Sequence, residues 1–379
     1  TSENRYRRRN IGVVMPFRFF RRVPLGRGLT MNVSKTGPSF SAGPRGGALT
    51  LGTSGARGTM SLPGTGLFYT VDKKNFFTSS NSRKKSQAKK TQPSPQSPGD
   101  KSLTLGFFDR LVVPKEEQIV VQGFRALVAG QYDEALMCFE KAPNTADAHW
   151  IAGMIRLKQS EHTAAEKHLL YALNHERDLG ALVGKYDVEV ILQLPITEHV
   201  MALAQPRRRG TLLALIESHQ DRGALSQAQD YAKTLLEDEP DDPVVLLSYV
   251  ELHFLAVSNL DKTLSSGFSQ DMAPQVVQLL GELSNDSDIH AALLMYKALA
   301  LTALGLHKAA LTTLTSAYRK KKDRDEELLK AIRYYRAGVY QCLGQDSRAR
   351  SEFEGLYATD PSYEDVAHQL GLSVISTHD

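Results

Sequence analysis

Residues 123–142 read Gly-Phe-Arg-Ala-Leu-Val-Ala-Gly-Gln-Tyr-Asp-Glu-Ala-Leu-Met-Cys-Phe-Glu-Lys-Ala, and their spacing decides the fold. Gly123 is followed twelve residues later by Ala135, four later by Phe139 and three later by Ala142, with Gly130-Gln131-Tyr132-Asp133 as a turn between them. The spacing returns at Gly153, Ala165, Leu169 and Ala172, and again at Ile216, Ala228, Ala232 and Leu235. It recurs at Ala298, Ala310, Leu314 and Ala317, and at Ala337, Ala349, Phe353 and Leu356. Turns headed by Gly223, Gly305 and Gly344 fall at the same place in three of these sets. Such a pattern fits two amphipathic helices of about three turns joined by a glycine turn, the small residues marking where the helices cross too closely for larger side chains. Pro240 and Pro361, each twelve residues after the Ala of its set, stop the second helix.

Between the third and fourth sets, residues 244–255 and then 260–265 read as a degenerate sixth unit with Lys262 where the Ala belongs. Residues 364–372 read as a helix capping the open end. The fivefold recurrence resembles the tetratricopeptide repeat over residues 116–371, with interruptions, and gives 104–375 the expectation of an all-α TPR-like helical-hairpin solenoid. The resemblance implies a right-handed superhelix whose concave wall, built from first helices, takes an extended peptide or a partner helix. Carried over position by position, that wall holds Val120, Phe124, Leu127, Trp150 and Met154 in the first two repeats and Leu213 and Glu217 in the third. Leu247, Glu251 and Phe254 follow from the degenerate unit, and Met295, Leu299 and Tyr334 from the last two. The members of the family that grip a chaperone's terminal carboxylate do so with Lys and Asn, and here those places are apolar or acidic. The bland alternative is that the same side chains pack between repeats.

Residues 180–208 fit no repeat. Residues 185–192 partly alternate, and Leu194-Pro195-Ile196-Thr197 ends that segment before a short helix reaching residue 204. Insertions in repeat arrays map to loops on one face and often carry recognition. Tyr186, Asp187, Pro195 and the triplet Arg207, Arg208 and Arg209 are its candidate residues, the triplet as a holder of an acidic group.

The chain changes character outside the repeats. Residues 1–102 carry 19 Lys and Arg against three acids, a surplus of 16 positive charges, which leaves the remainder at −12. The two parts are suited to different partners and attract one another, so a basic cover folded back on the acidic scaffold is one reading. Residues 1–14 form a basic arm, and 73–103 a linker. From 78 to 100 no apolar residue exceeds Ala88 in size, so this stretch cannot repay its ordering entropy and is expected to be disordered. Between arm and linker, residues 15–72 repeat short strand-like runs separated by Gly- and Pro-bearing turns, which predicts a small antiparallel all-β meander domain. Met31 and Val33, Phe40 and Ala42, and Leu49 and Leu51 give its strands one thin apolar face, so the sheet is expected to dock or self-associate. Met15-Pro16-Phe17-Arg18-Phe19, Asn32 to Gly37 and Leu62-Pro63-Gly64-Thr65-Gly66-Leu67 resemble a short bacterial N-terminal domain of unknown function, which implies a bacterial origin and no particular activity. The Leu-Pro-Gly-Thr-Gly run also matches a cell-wall sorting signal, but no hydrophobic span and basic tail follow it, and a β-turn accounts for it. No Gly-Lys-Ser/Thr follows the glycines, which argues against a phosphate loop.

No apolar run approaches the eighteen residues needed to span a bilayer. Cys138 and Cys342 are too distant in sequence for a redox or ligand motif, and two thiols suit a reducing cytoplasm. All eleven His follow residue 148, yet no His-Glu-x-x-His or Cys-x-x-Cys occurs, and His162 and His168 are spaced for different helix faces. The expectation is therefore a non-enzymatic cytoplasmic adaptor without cofactor or metal that binds a protein or peptide. The rival is a nucleic-acid-associated protein whose basic half contacts phosphates.

Overall fold

The computed structural model describes residues 113–142, 144–186, 188–258, 267–322 and 324–372, together with the backbone of six strands between residues 18 and 73. The arm at 1–14, residues 74–103 of the linker and Asp187 lie outside the described residues. The strands are β1 (Arg18–Gly26), β2 (Leu29–Ser34), β3 (Gly37–Ala42), β4 (Gly47–Gly52), β5 (Gly55–Ser61) and β6 (Phe68–Lys73). Successive strands pair antiparallel, and β1 also pairs antiparallel with β7 (Val188–Pro195).

The chain divides into two compact units, one comprising 15–193 and 203–214, the other 194–202 with 215–379 and the first 14 residues. In the first, α1 (Lys115–Ala129) and α2 (Tyr132–Glu140) form one helical hairpin, and α3 (Ala146–Lys158) and α4 (His162–Asn174) the next, with α2 packed on α3. A short α5 (Ala181–Lys185) leads into β7, which pairs with β8 (Met201–Ala204). Helix α6 (Arg208–Asp221) enters the second unit at residue 215 and continues through a turn into α7 (Leu225–Asp238). There α7 packs on α8 (Pro243–Ser258), followed by α9 (Met272–Leu279), the hairpin of α10 (Asp288–Ala303) and α11 (His307–Arg319), and the hairpin of α12 (Glu326–Cys342) and α13 (Asp346–Thr359). First helices lie side by side, α8 on α10 and α10 on α12. A four-residue α14 (Val366–Gln369) covers α13, shorter than the expected capping helix.

The recurring small residues occupy the helix crossings. Ala135, Ala165, Ala228, Ala310 and Ala349 are all buried, as are their downstream partners Phe139, Leu169, Ala232, Leu314 and Phe353. A Cβ on Gly123 would stand 2.6 Å from Cε1 of Phe139, and one on Gly153 would stand 2.8 Å from Cγ of Leu169 and 3.2 Å from the carbonyl of Ala165. A Cβ at either place forces the Phe139 ring or the Leu169 side chain to shift.

The joints are equally uniform. Gly130, Gly223, Gly305 and Gly344 have φ between 67° and 77°. Each donates its N–H to the carbonyl three residues back, and the following residue donates to the carbonyl five back, as in Gly130 to Leu127 (2.9 Å) and Gln131 to Ala126 (2.8 Å). This is the left-handed Schellman ending that satisfies the last carbonyls of a helix. The second hairpin has no glycine here, and Ser160 takes the position with φ 60° and the same two bonds. In all five joints the buried Ala follows the left-handed residue by five, and its N–H donates to the residue just after it.

The degenerate unit departs from expectation. The helix that follows α8 is α9, which starts at Met272 and buries Ala273 at 0 % exposure, so the small buried residue of this unit is Ala273. Residues 259–271 separate the two helices, and 259–266 of them, Lys262 included, lie outside the described residues. The expected short helix before residue 204 is instead strand β8.

Two substitutions on one hairpin test this architecture in opposite directions. Gly153→Val, which forces a branched side chain against Leu169, should lower unfolding free energy by about 1–3 kcal/mol. Ser160→Gly should raise it by roughly 1 kcal/mol, because the left-handed conformation penalises a Cβ. Urea denaturation of both variants beside the wild type reads both effects, and a neutral outcome for Gly153→Val would contradict the close crossing.

Candidate functional site: the repeat wall and the inserted hairpin

The insertion is held at its root by carboxylates from the first two hairpins. Asp147, at the start of α3 and 1 % exposed, accepts the backbone N–H of Gly180 (2.5 Å), Leu182 (2.8 Å) and Val183 (3.0 Å). Gly180, at φ 89°, turns these amides toward it. Burial pushes the Asp147 carboxyl above its ordinary range, and the three amides pull in the opposite direction. Glu117 of α1 accepts Tyr186 Oη (2.6 Å) and pairs with Lys185. Tyr186 is thus a buried anchor of the insertion.

Beyond this root the chain makes a β-hairpin. Ile196 N–H donates to the Val200 carbonyl (2.8 Å), Val200 N–H returns to Thr197 (3.4 Å), and Thr197 Oγ1 accepts from His199 N–H (3.2 Å). β8 alternates, with Ala202 and Ala204 buried and Met201 and Leu203 half-buried, whereas on β7 and the turn after it Val190, Ile191, Leu192, Leu194, Pro195, Ile196 and Thr197 are all buried, odd and even positions alike. A single apolar face would have given alternation. Glu198, at the turn, is exposed. Among the arginines, Arg207 is exposed and Arg208 already holds an acid of this chain, Glu176, at 2.8 Å; Arg209 is half-buried.

The wall residues expected from the resemblance are likewise inside the protein. Val120, Phe124, Leu127, Trp150, Met154 and Leu213 are buried in the first unit, and Glu217, Leu247, Glu251, Phe254, Met295 and Leu299 in the second. Tyr334 is half-buried and donates its hydroxyl to Asp365 at 2.7 Å. Glu251 accepts the hydroxyl of Tyr296, and Phe254 meets Phe268 and Tyr296 edge-on at 5.8 and 5.3 Å. At the far end, Tyr334 stands 6.0 Å from both Phe353 and Tyr363. Burial raises the Tyr363 phenol well above its ordinary range, with smaller contributions from nearby groups that include the Glu198 carboxylate.

One cluster escaped the motif search. His149 on α3 and His168 on α4 bring their Nδ1 atoms to 3.1 Å, His149 stacks on Tyr171 at 3.8 Å, and Tyr171 stacks on His175 at 4.1 Å. The pair joins two helices at a separation of nineteen residues, which no short motif captures. Burial, then the proximity of His149, lowers the His168 pKa; Arg156 and Lys167 act in the same sense and Glu140 opposes them. His253 and His290 are also lowered by burial. Among the described residues no group of three or more His, Cys, Asp or Glu is arranged to hold a metal ion, and no helix is long and apolar enough to cross a membrane. Cys138 and Cys342 are free thiols.

Residues 17–70 match a family model described as a protein of unknown function, DUF4236. No curated protein matches the chain. Among solved structures, similarity is found to the N-terminal domain of the EccA1 ATPase from the ESX-1 secretion system of Mycobacterium tuberculosis, with 15% identity, a TM-score of 0.48, and coverage of 68% of this chain and 88% of that one. A tetratricopeptide repeat protein from Parabacteroides merdae matches at 12% identity and TM-score 0.34, over 68% of this chain and 97% of that one. The TPR2AB domain of yeast Sti1 in complex with pHSP90 matches at 12% identity and TM-score 0.26, over 68% and 97%.

Two outcomes follow from this geometry. Asp147→Ala leaves three amides without their acceptor and should cost about 3 kcal/mol of stability, with hydrogen exchange accelerating first across residues 180–186; unchanged exchange there would refute the anchoring role. His168, His253 and His290 have folded pKa values below the unfolded value of about 6.5, so the unfolded chain binds more protons below that pH. Their stability contribution is present above about pH 6.5 and is lost as pH falls toward the folded values. Urea titrations from pH 7.5 to 5.0 should show the decline, and His168→Gln should make it shallower.

Proposed function

We propose that this chain is a non-enzymatic bacterial adaptor of the cytoplasm, whose helical-hairpin scaffold binds a protein or peptide partner while the DUF4236-like module at 15–72 localises or multimerises it. The carrying observation is the equivalence of the five joints, each with the same left-handed residue, paired backbone bonds and buried Ala. Repeats of one geometry tile into a surface that grows with their number, which is how solenoid proteins recognise partners. The first-helix set, Val120 to Leu213 in one unit and Glu217 to Tyr334 in the other, is the proposed backing of the recognition surface within each unit, and the insertion a second proposed place of recognition. The succession of antiparallel pairings from β1 to β6 supports reading 15–72 as a small β meander, and an open outer strand offers it a route to self-association.

A second reading rests on the surplus of 16 positive charges in residues 1–102. Nucleic-acid binding through that part would be independent of sequence and lost steeply with salt. Cross-linking and mass spectrometry on the full chain in bacterial cytosol decides between them. The adaptor reading expects a specific protein cross-linked to residues 104–372, retained when 1–102 are removed. Cross-links confined to 1–102, with a duplex shifted at 50 mM salt and released at 200 mM, would replace it with the second reading.

A further inference from the structure

Charge is out of balance at one place in the last hairpin. Arg333 and Arg336, three residues apart on α12, both reach Glu352 of α13: Arg333 Nε donates to Oε2 and Arg336 Nη2 to Oε1, each at 2.5 Å. Two guanidiniums thus share one carboxylate, and both of its oxygens are taken. Lys330, one turn earlier on the same helix, has the opposite arrangement, one cation between Glu327 (2.7 Å) and Asp360 (3.2 Å). Of the three nitrogens of Arg333 only Nε meets an acceptor among the described residues, and Nε of Arg336 is buried without one. Arg336 is 9 % exposed, with Cζ 4.3 Å from the centre of the Tyr318 ring on α11, and Lys321 Nζ stands 4.3 Å from the same ring.

The Arg333 head also has a place cleared for it. Gly355 lies inside α13, where glycine weakens a helix. A Cβ there would stand 2.0 Å from Nη2 and 2.7 Å from Nη1 of Arg333, so any other residue would push the head aside. The guanidinium therefore rests on bare backbone next to Glu352, its side chain 25 % exposed. Arg336 touches α11 through Tyr318 and α13 through Glu352, which puts the pair in the cleft between two second helices, with α12 as its floor. The wall proposed above is built from first helices, so this cleft is a separate surface. Residues 319–336 carry eight Lys and Arg against four acids, in a part of the chain that is otherwise acidic.

We propose that the cleft between α11 and α13 docks an acidic segment of a protein partner, a side-chain carboxylate of which binds the terminal nitrogens of Arg333 while its neighbours face Arg336 and Lys321. A guanidinium offers paired N–H donors in the geometry of a carboxylate, and such charge-assisted bonds are the strong ones. Charge complementarity selects the occupant, since a second carboxylate brings the arginine pair to neutrality and a neutral or basic segment does not. The proposal adds a docking place to the adaptor reading and does not depend on the wall.

The probe is a synthetic peptide of alternating Glu and Ser carrying a benzophenone, photo-cross-linked to the full chain at low salt. Residues 1–102 are basic as well and attract the probe by charge alone, so adducts are mapped by mass spectrometry. Their yield within residues 318–355, titrated against probe concentration, gives the affinity of this site. Saturable adducts there are expected, with the affinity weakened about tenfold by Arg333→Gln and raised about threefold by Glu352→Gln, which removes the resident carboxylate. A purely structural ion pair would not give tighter binding on loss of Glu352. Adducts confined to 1–102, or an affinity that neither variant changes, overturns the proposal. Should either variant lose the helical circular dichroism of the wild type, the exposed Lys321 decides: Lys321→Gln should weaken the site about threefold, and an unchanged affinity overturns the proposal. Binding at the wall is read by other residues, so failure of the adaptor reading remains a separate outcome.

Discussion

Close approach of two helices at a residue with no room for a larger side chain is the constraint from which the repeat region follows. At Gly123 and Gly153 the space for a Cβ is already taken by Phe139 and Leu169. In the later hairpins, Ile216, Ala298 and Ala337 occupy the corresponding position, with Ala232 as partner to the large Ile216 and Leu314 and Phe353 as partners to the two alanines. Interiors pack near crystalline density, so each crossing combines at most one large side chain with a small one. The left-handed joint fixes the rest. Since the buried Ala always lies five residues beyond it, the backbone bonds of the turn determine which face of the second helix meets the first.

This regularity explains what was legible in the sequence and what was not. The spacing of Gly153, Ala165, Leu169 and Ala172 reports directly on contacts between elements that are adjacent in the chain, so pattern reading reaches it. Ser160 hid its joint because a non-glycine residue there has no turn signature, although its two hydrogen bonds match the others. Ala273 was missed because the chain between α8 and α9 is longer than the repeat spacing allows. Met201-Ala202-Leu203-Ala204 has the composition of a helix, yet pairing with β7 makes it a strand, tertiary context overriding a weak local preference. The wall positions were legible as positions, but their burial was not, because it depends on residues from other parts of the chain, as where Phe254 meets Phe268 and Tyr296.

Polar groups inside the protein show where irregular chain had to be accommodated. Asp147 brings a carboxylate into a site 1 % exposed, a costly placement for an ionisable group, and meets it with three amides of the loop that begins the insertion. A single Asp carries no motif, so only the fold reveals this role. The His149–His168 contact belongs to the same category: it ties α3 to α4 in the hairpin that bears the insertion, and it requires at least one neutral imidazole. The second hairpin, the one without a glycine joint, carries both of these contacts.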